Sequence, residues 1–286
     1  HSNKIIEIIL VFLENQAPLT LGFLFLRGWV DLGMIRYITL LLFFGLVYWS
    51  CEDEPKDCAG VASGTALINN CGECVGGITG LGETYCGTVT DIDGNVYNTV
   101  IIGDQVWMAE NLKVTHYRNG DEIPTGYTNN DWTSLSIGAY AVYSDNPANE
   151  VTYGNLYNWF AVDDSRNIAP EGWHVPTDND FHDLTLYLDK DIAGSKLAGR
   201  ADLWHDGDLE NNSEFGTSGF IALPGGYRSS GSGTYNGMGD RGYFWSSTEY
   251  GSNIAWYRLL YYYDSEVDRN REGSMNGGFS VRCVRD

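Results

Sequence analysis

Apolar and polar residues alternate along Thr88–Leu112, TVTDIDGNVYNTVIIGDQVWMAENL, around breaks at DGN and GD. This period of two, interrupted at Asp93-Gly94, predicts a β-hairpin, because glycine accepts the positive φ of a tight turn. Val100, Ile102, Val106 and Met108 suit strand faces turned toward a core. DIDGN also echoes the start of an EF-hand calcium loop. It lacks the downstream bidentate Glu at the required spacing, so a turn is expected there.

Two stretches follow a helical period instead. YGNLYNWFAV places Leu156, Trp159 and Phe160 at i, i+3 and i+4. In VPTDNDFHDLTLYL, Thr177 is a good N-cap, Asp178 and Asp180 sit where the helix dipole favours anions, and Phe181, Leu184 and Leu188 share a face. Pro176 can pack on Phe181 as a staple. His174 and His182 flank this helix and are expected as packing or surface residues, since no Cys or acid recurs with them at metal spacing. After Phe215 the chain reads as short strands and glycine turns: GFIALPGGYR, GYFWSSTEY, NIAWYRLLYYYD and GGFSVRCVRD. Strand-rich halves around two helices predict an α+β domain.

Composition sets bounds on this picture. The chain has 286 residues, 43% hydrophobic, with 35 Gly and 19 Tyr, enough for one substantial domain and a small second module. Its formal net charge is −21. Residues 1–50 hold three basic and three acidic side chains, so the whole imbalance lies in residues 51–286. Such a chain repels phosphate backbones, and nucleic acid is excluded as a partner.

The N-terminal part reads as an address rather than a domain. MIRYITLLLFFGLVYWSC, from Met34, has a short basic start, an apolar run too short to span a bilayer, and then Ser50 and Cys51. It resembles a bacterial lipoprotein signal, here assigned to residues 34–50, with Cys51 as the lipidated residue. The bulky Tyr48 and Trp49 depart from the usual small residues. CEDEPKD resembles the acidic export signal of surface lipoproteins in Bacteroidetes-type bacteria. The expected location is the outer membrane, at the cell surface, with the membrane as partner through the lipid. Residues 1–33 are apolar but broken by Glu14, Pro18 and Arg27. They are expected to be a non-native or disordered segment upstream of a start at Met34, or else a further membrane segment.

Residues 51–86 are rich in cysteine and glycine. Cys58, Cys71, Cys74 and Cys86 lie in DCAGVASGTALINNCGECVGGITGLGETYC. The Cys-x-x-Cys pair raises zinc and redox chemistry. An exported segment favours disulfides, and no strand–helix unit surrounds the pair. A disulfide-stapled spacer is expected, with its connectivity open.

The motifs DIDGNVYNTVIIGDQVWMAENL, YGNLYNWFAV, GWHVPTDNDF, ALPGGYR, WSSTE and GFSVRCVRD resemble, in order and spacing, the Fibrobacter succinogenes major paralogous (FISUMP) domain. The resemblance covers residues 87–286. It implies a C-type lectin-like fold with short antiparallel strands and two helices, in proteins that are commonly surface lipoproteins. Lectin-like folds build their ligand face from long loops and late strands. Here that region is TEYGSNIAWYRLLYYYDSEVDRNREGSMNGG. Alternation puts Tyr257, Leu259, Tyr261 and Tyr263 on one strand face and Trp256, Arg258, Leu260 and Tyr262 on the other. The family pattern implies that the Trp256 set faces the core. Tyr257, Tyr261 and Tyr263, with Tyr250, Asn253, Asp264 and Arg269, are then expected to form an exposed face for an extracellular carbohydrate or protein ligand. A sheet merely coated with tyrosine, in a structural envelope protein, is the alternative.

The calcium-dependent sugar site of animal lectins is not expected, because DNPAN and NNDW are poor imitations of its triplets. The closing strand GFSVRCV also resembles the formylglycine-generating branch, whose chemistry needs a reactive cysteine pair. Only Cys283 lies deep in this domain, with Cys86 at its edge, and these two are expected to join the disulfide set, pairing with each other to close the domain ends. No nucleophile elbow, zinc-protease motif or matched carboxylate pair appears. No enzyme activity, cofactor or metal is expected.

Overall fold

The hairpin at DIDGN forms around Asp91. Its carboxylate accepts hydrogen bonds from the Asp93 and Asn95 amides, the Asn95 side chain and, at 2.6 Å, the Tyr97 hydroxyl. Gly94 takes φ +82° at the bend. The computed structural model describes residues 54–286; Cys51, the signal segment 34–50 and residues 1–33 lie outside the described residues.

The strands in chain order are β1 Leu67–Ile68, β2 Cys74–Val75, β3 Tyr85–Thr90, β4 Val96–Ile102, β5 Gln105–Met108, β6 Tyr140–Ala141, β7 Leu156–Tyr157, β8 Trp173–His174, β9 Gly225–Arg228, β10 Tyr235–Met238, β11 Arg241–Gly251, β12 Ile254–Tyr261, β13 Asp268–Ser274 and β14 Val284–Arg285. The α-helices among the described residues are α1 Asn129–Trp132, α2 Pro147–Tyr153, α3 Trp159–Val162, α4 Asp178–Tyr187, α5 Ala193–Leu197 and α6 Asp208–Asn211. The class is α+β, with mostly antiparallel pairing. One five-stranded sheet runs β3-β4-β5-β14-β8 and another β10-β9-β11-β12-β13. The single parallel contact recorded between named strands joins β9 to β11 at Gly226 and Gly242.

Helix α4 starts where the sequence says it should. The Thr177 hydroxyl accepts from the Asp180 amide at 3.1 Å, and the Asp180 carboxylate accepts from the Thr177 amide at 2.8 Å, a reciprocal capping box. It ends at Leu188, after which Asp189 takes a left-handed φ of +71°. Phe181 and Leu184 are buried against Trp107 and Phe220 in one core. Each such side chain contributes about 1.5–3 kcal/mol on burial.

The other expected helix is corrected. Leu156 and Tyr157 are strand β7, paired with β6, and only Trp159–Val162 make a helical turn. Asn158 stands outside the turn in extended geometry, and its side chain accepts from the Ala161 amide, so it starts a helix rather than continuing one. Short helices that the periodicity did not signal, such as α2 and α5, fill the connections.

Both sheets feed two core clusters. Tyr97, Met108, Trp173, Tyr243, Trp245 and Phe279 belong to one, and Val100, Trp107, Phe181, Phe244 and Leu260 to the other. Between them Arg282 is wholly buried. It donates to the carbonyls of Met108 and Phe220 and, at 2.7 Å, to the Asn111 side chain, while its guanidinium lies over Phe220 at 4.3 Å. Carbonyl dipoles and an aromatic face thus replace the hydration that this cation loses.

Two disulfides interleave, Cys58–Cys74 and Cys71–Cys86, with Cα separations of 5.7 and 5.4 Å. The second stitches the spacer to β3, and residues 55–286 form one compact unit. Asp57 organises the spacer by accepting from the amides of Ala66, Val61 and Ala59. Gly64 is required beside it, since a Cβ there would lie 2.0 Å from the Asp57 carboxylate. Cys283 is corrected: it is free and buried. Cys86, its expected partner, is already bridged to Cys71. Burial raises the Cys283 thiol well above its ordinary pKa.

Candidate binding face

The register between β11 and β12 sets the face. Arg241 pairs with Tyr261, Tyr243 with Leu259 and Trp245 with Tyr257. Directly opposed residues of an antiparallel pair project to the same side. Arg241, Tyr243, Trp245, Tyr257, Leu259 and Tyr261 therefore share one face, and Asn270 and Asp268 of β13 join it opposite Tyr257 and Leu259. Phe244, Arg258 and Arg269 lie on the reverse.

On the first face, aromatic rings form two groups with Arg241 between them. Tyr227 of β9 meets Tyr243 at 4.7 Å between centroids, and Tyr243 stacks on Tyr257 at 5.7 Å. Tyr261 stacks on Tyr263 at 4.9 Å and 21°. The deep end is closed: Trp245 is fully buried, and Phe279 packs on it at 4.2 Å. Exposure grows toward Tyr261 and Tyr263, the latter 52% exposed.

Arg241 lies between these groups, its guanidinium 5.1 Å from the centre of the Tyr261 ring and close enough to Tyr243 for that side chain to favour its charge. Burial opposes its charge, but the tyrosines outweigh that and hold its pKa above the ordinary value. Burial pushes the Tyr257 hydroxyl up to about 12. Across β12, burial and then the neighbouring Asp264 raise the Asp268 carboxyl above its ordinary range.

Of the residues expected to bind, the structure gathers Tyr257, Tyr261 and Tyr263 and separates the rest. Tyr257 is corrected from exposed to half-buried, packed against Tyr243, Trp245 and Phe279. The expectation that one face of β12 is core and the other free is also corrected. Leu259 and Leu260, on opposite faces, are each 2% exposed, because the strand lies between the two cores. Tyr250 packs edge-on against Trp256 on the reverse side, beneath Arg271. Arg269 is there too, over the Trp256 ring at 3.8 Å and bound to Asp178. Asn253 occupies the β11–β12 turn at φ +85°, and Asp264 closes the turn after Tyr261.

The sequence reading missed Tyr227, Arg241 and Tyr243. The period of two in RGYFW would have aligned Arg241 with Tyr243 and Trp245, but only the register with β12 places them beside Tyr261.

The Fibrobacter succinogenes major domain matches residues 100–285, from the middle of β4 through β14. The chain belongs to this family. No curated protein and no solved structure matches it. The family domain thus includes the whole aromatic face together with helix α4. Among the described residues, no three His, Cys, Asp or Glu side chains gather as metal ligands, and no helix is long and apolar enough to cross a membrane.

A separate cleft of about 350 Å³ opens beside β4 and the end of α4, lined by Ile101, Ile102, Tyr187, Leu188, Lys196 and Glu214 among others.

Proposed function

We propose that this chain is a lipid-anchored protein of the outer membrane, facing outward, whose family domain is a lectin-like binding or adhesion module for an extracellular carbohydrate or protein. One observation carries the reading: the half-open series Tyr227, Tyr243, Tyr257, Tyr261 and Tyr263 with Arg241 among its rings. Tyrosine offers large flat contact area and a polar tip at low rotamer cost. Support for a lectin-like fold comes from the late strands β11–β13 that build the face, the pairing of β14 with the early strand β5, and the long connections between. Support for the anchor is the sequence WSCEDE alone. Catalysis is left out of this reading, since the enzyme branch needs a reactive cysteine pair and, among the described residues, Cys283 is the one free cysteine.

The test is glycan-array and pull-down binding with the full chain, wild type against the Tyr261→Ala/Tyr263→Ala double variant. The expected result is a bound ligand that the double variant loses. A double variant that behaves as wild type would remove this face from the account, and repeated failure to find any ligand favours a structural envelope component. Mass spectrometry of the native protein checks the anchor; a Cys51 thiol without acyl chains refutes it. Oxygen consumption with a thiol substrate would restore the enzyme reading.

A further inference from the structure

We propose that the aromatic face recognises a glycan through a single uronic-acid residue, with the sugar carboxylate on Arg241 and its ring against Tyr261 and Tyr263. This rests on the reading of the face as a binding surface and adds its chemical specificity.

Cations are scarce in a chain with 17 basic and 38 acidic side chains, and most arginines here are occupied. Arg166, Arg200, Arg258 and Arg269 pair with aspartates. Arg118, Arg228 and Arg282 donate to main-chain carbonyls. Arg241 does neither. None of the ion pairs among the described residues includes it, and its neighbours are the Tyr243 side chain and the Tyr261 ring. A half-buried guanidinium has lost water that an anion can replace. Its planar fork matches a carboxylate through two parallel hydrogen bonds.

The geometry beside Arg241 suits a sugar rather than a peptide terminus. Tyr263, 52% exposed and stacked on Tyr261, offers an aromatic ring at the open end of the face. Asp268 projects from β13 on the same side, across β12 from Arg241. Two strand spacings and a two-residue offset along the strand put these backbones about 12 Å apart, beyond a first sugar unit. An acid there accepts hydrogen bonds from neutral hydroxyls and repels a second carboxylate. The net charge of −21 works in the same direction, against a long polyanion. The class selected is a mostly neutral oligosaccharide carrying an isolated uronate.

The experiment is a glycan array of matched pairs that differ only by one carboxylate, probed with the full chain. The expected result is about tenfold stronger binding to uronate members, the scale of one charge-assisted hydrogen-bonded contact. Arg241→Gln abolishes that preference, bringing uronate members down to the level of their neutral partners, Arg241→Lys retains part of it, and 0.5 M salt weakens it. A thermal melt like that of the wild type shows that Arg241→Gln is folded. Equal binding within pairs, a preference for sulfated over carboxylated members, or a preference that survives Arg241→Gln overturns the proposal while leaving the face as a binding surface. Capture of a protein ligand with no glycan bound has the same effect. Loss of every ligand class would instead remove the function on which it rests.

Discussion

Arg269 closes on Asp178, its Nη2 2.6 Å from Oδ2 and its Nε 3.0 Å from Oδ1. From the other side Arg258 reaches Oδ1 at 2.8 Å. One carboxylate at the first turn of α4 therefore ties the helix to both β12 and β13. Arg269 belongs to the framework behind the aromatic face and not to the face itself.

The two arginines differ in exposure, and this separates the cost of losing either end. Arg258 is 2% exposed and Arg269 51%. Asp178→Ala leaves Arg258 buried without its counter-ion and is expected to cost about 3–5 kcal/mol. Arg269→Ala removes a half-exposed pair that water screens, for about 1 kcal/mol or less. Urea unfolding of the two variants checks the order.

Acid should loosen the same framework. Burial disfavours charge on Asp178, but hydrogen bonds from Arg269 and then Arg258 outweigh it and hold the carboxyl below its ordinary 3.8. Asp180 and Asp93 are also lowered, against burial, by Thr177 and Thr115 respectively. A carboxylate with a depressed folded pKa contributes stability above its unfolded value, and that contribution is lost as pH falls through the folded one. The melting temperature is expected to hold at neutral pH and to fall once pH drops below about 4, with a shallower fall in Asp93→Asn.

The disulfides predict a peptide map. Non-reducing digestion should link Cys58 to Cys74 and Cys71 to Cys86, with Cys283 alkylated only after unfolding. Replacing Cys71 and Cys86 together by alanine opens a loop with a sequence separation of 15 and should cost about 3 kcal/mol.

Gly273 lies where β13 passes the aromatic series. A Cβ there would meet Trp245 at 2.7 Å, Tyr257 at 2.8 Å and the Ala255 carbonyl at 2.9 Å. Gly273→Ala is expected to cost about 1–3 kcal/mol and to disturb near-ultraviolet circular dichroism, since two rings must move.

What could be read in the sequence was local. Asp91 and Gly94 make their turn from neighbouring groups, and Thr177 with Asp180 starts α4 by itself, so short motifs sufficed. The aromatic face depends on long-range pairing. Which tyrosines meet Arg241 follows from the register of β11 on β12, and a bulge between Ala255 and Tyr257 shifts β13 against them. Alternation along β12 correctly divided the odd from the even residues. It did not show that a second core covers the reverse side and draws Arg269 toward Asp178. The cysteine order was equally non-local, since nothing near Cys86 reveals that Cys71 rather than Cys283 reaches it.

Val284 lies between Trp107 on one side and His174 on the other. The inner edge of the early hairpin is therefore bare until a strand from far downstream arrives to fill the gap. Such a topology delays completion and leaves a sticky ribbon on the nascent polypeptide. Lesions near Val284 are accordingly expected to act by prolonging that vulnerable interval.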